Sequence, residues 1–206
     1  MKKLDISHYI LSTKVLGPYQ RSALWVHGCC FGCEGCIAEE MNQQSPDYVD
    51  VENLAHIFAE QINTEGITIS GGEPFLQAEQ LCNLIELIKE KRDYGVIIYT
   101  GNLYEKLKDN NDLFISKLLG LTDILIDGQY KKELDDGKAY RGSSNQRILQ
   151  LSDRYEKEYE KYYLNNEKRN IEINVTENNV YLVGVPSEYG LDTWKKFKKK
   201  AGCEGD

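Results

Sequence analysis

Short apolar runs alternate with amphipathic stretches over the first two thirds of the chain. "SALWVHG" (22–28) is an apolar run ending in Gly and predicts a strand, followed by a cysteine-rich loop. "VENLAHIFAEQI" (51–62) sets Val51, Leu54, Ala55, Phe58 and Ile62 at the spacing of an amphipathic helix. "GITIS" (66–70) reads as a β-branched buried strand, closed by the turn "GGEP". "AEQLCNLIELIKEK" (78–91) predicts a helix with Leu81, Leu84, Ile85 and Ile88 on one face. "GVIIYTG" (95–101) is strand-like again. Residues 103–108 and 112–119 read as helices with a polar "DNND" break between them, and "TDILIDG" (122–128) is a fourth strand.

This alternation predicts parallel pairing with right-handed crossovers. The strands are almost continuously apolar, as strands covered on both faces are. In such sheets function gathers at the carboxyl ends of the strands. The polar stretches fall there: the cysteine loop, "SGGEP", "YTG" and "DGQY" in turn. After residue 128 the pattern changes. Residues 130–147 read as a polar loop, and 152–169 as a charged, tyrosine-rich helix capped by Ser152 or Asp153. Residues 171–186 read as two strands with a turn at Glu177–Asn179, and 190–200 as a last helix. The expected division is a core over 1–150 and a small α+β extension over 151–206.

Composition is that of an ordinary globular chain, with 41% hydrophobic and 28% charged residues. A net charge of -8 argues against nucleic-acid and anionic-membrane partners. The one basic run, "WKKFKKK" (194–200), reads as the solvated face of a short helix, with docking to an acidic partner as the alternative. The N-terminal apolar run is too short for a signal peptide and is broken by Asp5, Ser7 and His8. No stretch approaches the roughly 20 apolar residues that cross a bilayer. A cytoplasmic protein is expected, and there clustered cysteines argue for metal or redox chemistry over disulfides.

The cluster is "GCCFGCEGC" (28–36). Thiolates are soft ligands for iron–sulfur clusters, zinc and Cu(I). Cys29, Cys33 and Cys36 are spaced C-x3-C-x2-C, whereas Cys30, Cys33 and Cys36 are spaced C-x2-C-x2-C. Spacing leaves both sets open, and either supplies three ligands. A fourth is not evident, since Cys82 sits in a helix pattern as a small core residue and Cys203 lies in a polar tail. A structural zinc site would want two pairs, and a thiol redox pair would need only two cysteines. A [4Fe–4S] cluster with three protein thiolates would leave one iron open, and an open coordination position is how metal sites admit a substrate.

The loop "GCCFGCEGC" resembles the cluster loop of the radical S-adenosylmethionine (SAM) superfamily, and "SGGEPF" its second motif. "DILIDGQY" followed by "YRGSSNQRI" is similar to the small activating proteins of anaerobic ribonucleotide reductase, in a wider group with the pyruvate formate-lyase activating enzymes. The resemblance covers roughly residues 20–150. It implies a partial (β/α) barrel of parallel strands, a single [4Fe–4S] cluster and S-adenosylmethionine as cofactors. In the family register Cys29, Cys33 and Cys36 each hold one iron, and SAM chelates the fourth. Gly71, Gly72 and Glu73 match the turn that holds the SAM amino group. Thr100 and Gly101 match the strand end that approaches SAM, and Asp127 an acidic strand-end residue near its ribose or carboxylate. Arg141 and Asn145 are further candidate contacts. The plainer reading of Asp127 is a turn or cap residue, and that of Arg141 and Asn145 a loop held by its own hydrogen bonds. Gly35 stands where the superfamily often has an aromatic residue, a departure the small activases share. The extension lies outside the resemblance.

The activity this implies is reductive cleavage of SAM to a 5′-deoxyadenosyl radical, with an electron from flavodoxin or ferredoxin. The implied target is a glycine of a partner glycyl-radical enzyme. A radical SAM enzyme acting on a small molecule or peptide is the alternative. A non-enzymatic iron–sulfur or zinc module would need neither the GGE turn nor the convergence of four strand ends.

Overall fold

A computed structural model describes residues 2–39, 43, 45–164, 169–175 and 180–201. The elements are β1 (Lys3–Thr13), β2 (Arg21–Val26), β3 (Asp47–Asp50), α1 (Val51–Ala59), β4 (Gly66–Gly71), α2 (Ala78–Lys89) and β5 (Gly95–Thr100). They continue with α3 (Tyr104–Lys108), α4 (Leu113–Leu121), β6 (Ile124–Asp127), β7 (Arg147–Gln150), α5 (Glu156–Tyr159), β8 (Ile171–Val175), β9 (Val180–Gly184) and α6 (Glu188–Ala201). Seven strands form one sheet in the order β3-β1-β2-β4-β5-β6-β7, and β8-β9 form a separate hairpin. The four parallel strands β2, β4, β5 and β6 are the four read from the sequence. The result is a mixed α/β fold with a mostly parallel central sheet. Around it, β1, β3 and β7 add antiparallel margins that the sequence pattern did not reveal.

Alternate residues of the parallel strands serve different partners. Leu24, Val26, Ile67, Ile69, Val96, Ile98 and Leu125 point to one face and pack on α1, α2 and α4 through Leu54, Phe58, Leu81, Leu84, Ile85, Ile88 and Leu118. Ala23, Ile97, Ile124 and Ile126 point to the other face. No helix of the βα crossovers covers that second face. Val183 of β9 packs there against Ile10, Leu16 and Ala23, and Tyr155, Tyr159 and Tyr163 against Ile97, Ile124 and Ile126. The apolar character of both strand faces therefore reflects two different covers, helices on one side and the chain beyond residue 150 on the other.

The predicted helix over 152–169 is instead a succession of turns: a 3-10 turn (Asp153–Tyr155), α5 and a π turn (Glu160–Leu164). Ser152 caps it as expected, accepting from the Arg154 N–H. The three tyrosines recur every four residues and all meet the sheet. Four overshoots the 3.6 residues of an α turn, and the wider π turn takes up the difference. Residues 165–168, the turn at Glu177–Asn179 and Cys203 lie outside the described residues. No helix among the described residues is long and apolar enough to cross a membrane.

The amino ends of the parallel strands are tied by Arg21, fully buried at the start of β2. It donates to Glu65 (2.9 Å), Tyr155 (2.8 Å), Thr68 (3.0 Å) and the carbonyls of Pro18, Ile67 and Gly95. Replacing Arg21 with Ala strips a buried hydrogen-bonded ion pair of its cation, a loss of about 3 kcal/mol or more. The expected result is a melting temperature lower by roughly 10 °C in a thermal unfolding scan, with cysteine-loop chemistry untouched because this network lies at the opposite end of the strands.

Candidate active site

At the carboxyl end of β2 the chain turns into the cysteine loop. Gly28, Gly32 and Gly35 take φ values of 86°, 60° and 72°, which side-chain-bearing residues rarely adopt, so the loop coils back within a few residues. Its base is held by the next motif. The Gly72 N–H donates to the Val26 carbonyl (2.8 Å) and the Glu73 N–H to the Gly28 carbonyl (2.8 Å). Gly71 sits so close to β2 that an added Cβ would lie 2.4 Å from the Val26 oxygen, and its φ is 102°. Only glycine fits there. From the other side Gln77 donates to the carbonyls of Asp5 (2.8 Å) and His27 (3.1 Å).

Glu73 is 1% exposed. Its carboxylate accepts from Thr100 Oγ1 (2.8 Å), the Gly101 N–H (2.9 Å) and the Phe75 N–H (3.0 Å). Burial pushes its pKa up, and these donors oppose the shift. The side chain thus ties the end of β4 to the end of β5. Asp127, also fully buried, accepts from the Tyr104 N–H (2.7 Å) and from Arg147 Nε (3.0 Å), joining β6 to α3 and β7.

A cavity of about 680 Å³ opens where these strand ends meet the second sheet face, within the usual range for cofactor sites. Of the residues singled out from sequence, Cys29, Cys33, Cys36, Gly71, Gly72, Thr100 and Gly101 line it. Cys30, Glu73, Asp127, Arg141 and Asn145 are not among its lining residues. Arg141 forms an ion pair with Asp136, and Asn145 donates to the Gln129 carbonyl (2.8 Å). Arg141 Nε and Asn145 Oδ1 are buried without a hydrogen-bond partner. The loop is shaped by Gln146, which accepts from the Gly142 and Ser143 N–H groups and donates to the Gly128 carbonyl.

Sequence reasoning missed two groups of lining residues. Trp25, Ser70 and Tyr99 stand one above another on adjacent strands, facing away from the helices. The strand alternation carried that signal, since each lies near a carboxyl end and on the face opposite the helix-packed residues. The second group, Arg169, Leu182, Val185, Pro186, Leu191, Asp192 and Lys195, comes from the extension and had no local signal.

The thiols of Cys33 and Cys36 are shifted up, mainly by burial. A bound cationic centre reverses that tendency and favours thiolates. Among the described residues no three His, Cys, Asp or Glu side chains are grouped to hold one metal ion. A [4Fe–4S] cubane takes one thiolate per iron and needs no such convergence on a point. Three thiols on one cavity wall, beside a glycine turn that lets backbone approach, fit that group and its open iron.

A family model described as a 4Fe-4S single cluster domain matches residues 15–149. The chain belongs to this family. It is 33% identical over 147 residues to the anaerobic ribonucleoside-triphosphate reductase-activating protein of Enterobacteria phage T4, covering 68% of this chain and 89% of that one. It is 29% identical over 143 residues to the protein of the same name from Vibrio cholerae, covering 65% and 90%. To the pyruvate formate-lyase-activating enzyme of Streptococcus mutans it is 26% identical over 140 residues, covering 65% of this chain and 53% of that enzyme. The chain is thus a radical SAM oxidoreductase of the activating-protein group, with a [4Fe–4S] cluster and SAM as its cofactors. The family model ends at residue 149, so β8, β9 and α6 lie beyond the shared 4Fe-4S region.

Proposed function

We propose that this protein activates a glycyl-radical enzyme of the anaerobic ribonucleotide reductase type, using one [4Fe–4S] cluster held by Cys29, Cys33 and Cys36. The observation that carries the reading is the shared cavity: these three thiols, without Cys30, face the same space as Gly71, Gly72, Thr100 and Gly101. When bound, the cluster and SAM together supply reductive cleavage of the sulfonium to methionine and a 5′-deoxyadenosyl radical, which takes a hydrogen from a glycine Cα.

The chain's own residues bind and position. Gly71 and Gly72 let the backbone approach the amino-acid end of SAM. Glu73 acts through Thr100 and Gly101, holding the end of β5 against the ligand. Asp127 does the same for the end of β6. Trp25, Phe31 and Tyr99 give the cavity apolar walls that exclude water from a reactive intermediate. In this reading the sheet is the partial (β/α) barrel of the radical SAM fold, with its inner face toward the cavity. Flavodoxin or ferredoxin supplies the electron in the cytoplasm, and neither nucleic acid nor membrane takes part. The family's activating proteins carry names that fit this target.

The test is anaerobic reconstitution with iron and sulfide, then SAM and dithionite. The expected products are 5′-deoxyadenosine and methionine in equal amounts; their absence from a cluster-loaded protein defeats the proposal. Addition of a glycyl-radical partner is expected to give the doublet of a glycyl radical in EPR. Cleavage without that doublet favours a small-molecule or peptide substrate instead.

A further inference from the structure

The helix α6 is the one strongly basic element of an otherwise acidic chain. Lys195, Lys196, Lys198, Lys199 and Lys200 fall in its last two turns, against a net charge of -8 for the whole protein. Its place is not that of an idle surface helix, because Leu191, Asp192 and Lys195 line the cavity.

The extension is firmly seated there. Arg169, just before β8, pairs with Asp135 (2.7 Å). It also donates to the carbonyls of Lys138 (3.0 Å), Arg141 (3.0 Å), Gly142 (2.8 Å) and Pro186 (3.1 Å). One side chain thereby joins the loop after β6 to the chain leading into α6. Within the hairpin itself Glu172 accepts from Thr13 (2.6 Å), and Tyr181 stacks on His8 with ring centres 3.5 Å apart. Two of the three cavity-lining cations, Lys132 and Arg169, have partners within the protein. Lys195 has none among the described residues, and it stands exposed at the cavity rim. Beside it Trp194 stacks on Phe197, which is 46% exposed.

We propose that α6 is a docking rim for an acidic polypeptide segment, with Lys195 pairing with a carboxylate close to the residue that enters the cavity. The proposal rests on the activase reading for the identity of that residue, a glycine. Charge complementarity selects the occupant: exposed lysines at the mouth of a reaction cavity attract carboxylates, steer their approach and fix register. A net negative protein whose basic helix borders an internal cavity is better suited to a polypeptide than to a lipid surface.

The test uses cluster-reconstituted, SAM-bound full-length protein and three fluorescent peptides. They share a central glycine and differ only in carrying Glu, Gln or Lys at the flanking positions. Anisotropy is expected to give binding about 10-fold tighter for the Glu peptide than for the Gln peptide at low salt. The difference is expected to vanish at about 0.5 M salt, where screening shortens to roughly 4 Å. Lys195→Glu is expected to reverse the order of the Glu and Lys peptides. Lys196→Glu combined with Lys199→Glu is expected to weaken Glu-peptide binding with 5′-deoxyadenosine formation from SAM alone unchanged. Equal binding of all three peptides, binding of none, or preference for anionic phosphatidylglycerol vesicles over the Glu peptide overturns the proposal. The peptide-binding readouts need no SAM cleavage, so failure of the activase reading is seen separately.

Discussion

Anaerobic reconstitution of the Cys29→Ser protein is expected to load no [4Fe–4S] cluster, whereas Cys30→Ser is expected to load it as the unaltered protein does. The two cysteines are adjacent, both exposed, and chemically alike, so the contrast isolates direction. Cys29 lines the cavity together with Cys33 and Cys36, and Cys30 is not among the lining residues. A serine hydroxyl stays protonated at neutral pH and is a hard, poor replacement for a thiolate on iron. Removing one of three thiolates leaves too few to hold the cubane. Iron content per chain and the visible charge-transfer absorbance are the measurements. The reverse result, loss at Cys30 and retention at Cys29, would assign the site to Cys30, Cys33 and Cys36.

The second large effect is expected at Glu73. Replacing it with Ala leaves the Thr100 hydroxyl and the Gly101 and Phe75 N–H groups without their acceptor in a buried place. Each unsatisfied buried donor costs about 1–3 kcal/mol, so a combined loss of roughly 4 kcal/mol of stability is expected. SAM affinity falls with it, because the ends of β4 and β5 are no longer locked together. Glu73→Gln preserves shape and one acceptor oxygen but turns an NH2 toward donors, and an intermediate loss is expected. Denaturant unfolding and SAM binding by calorimetry check both. Unchanged SAM affinity in a folded Glu73→Ala protein would remove Glu73 from the positioning role.

Much of the core was legible in sequence for a simple reason. A parallel strand covered on both faces must be largely apolar, and β2, β4, β5 and β6 are. The antiparallel strands β1, β3 and β7 lack that constraint. β1 carries Asp5, Ser7 and His8, and exposes part of its length. β3 is the four residues Asp47–Asp50, mostly polar, and β7 follows directly on a polar loop. Their pairing is decided by backbone hydrogen bonds to a neighbour far away in sequence, which a local pattern does not encode.

The candidate site divides the same way. The cysteine spacing, the glycine turn and the order of the strand ends were properties of the sequence by itself, because each is a local covalent arrangement. They were enough to name a three-thiol site, two glycine-rich strand ends and the chemistry that suits them, with spacing alone leaving the first thiol to Cys29 or Cys30. The family register chose Cys29 over Cys30, and the tertiary structure sets Cys29 on the cavity wall with Cys30 not among its lining residues. Only the tertiary structure turned Glu73 and Asp127 into braces, whose donors include residues 20 to 28 positions away. Only it brought the extension onto the open face of the sheet, where Arg169 and Lys195 reach a cavity whose other walls begin at Leu16 and Trp25. Packing of one apolar surface against another is indifferent to sequence distance, and that is why the cavity's last wall was invisible until the chain was folded.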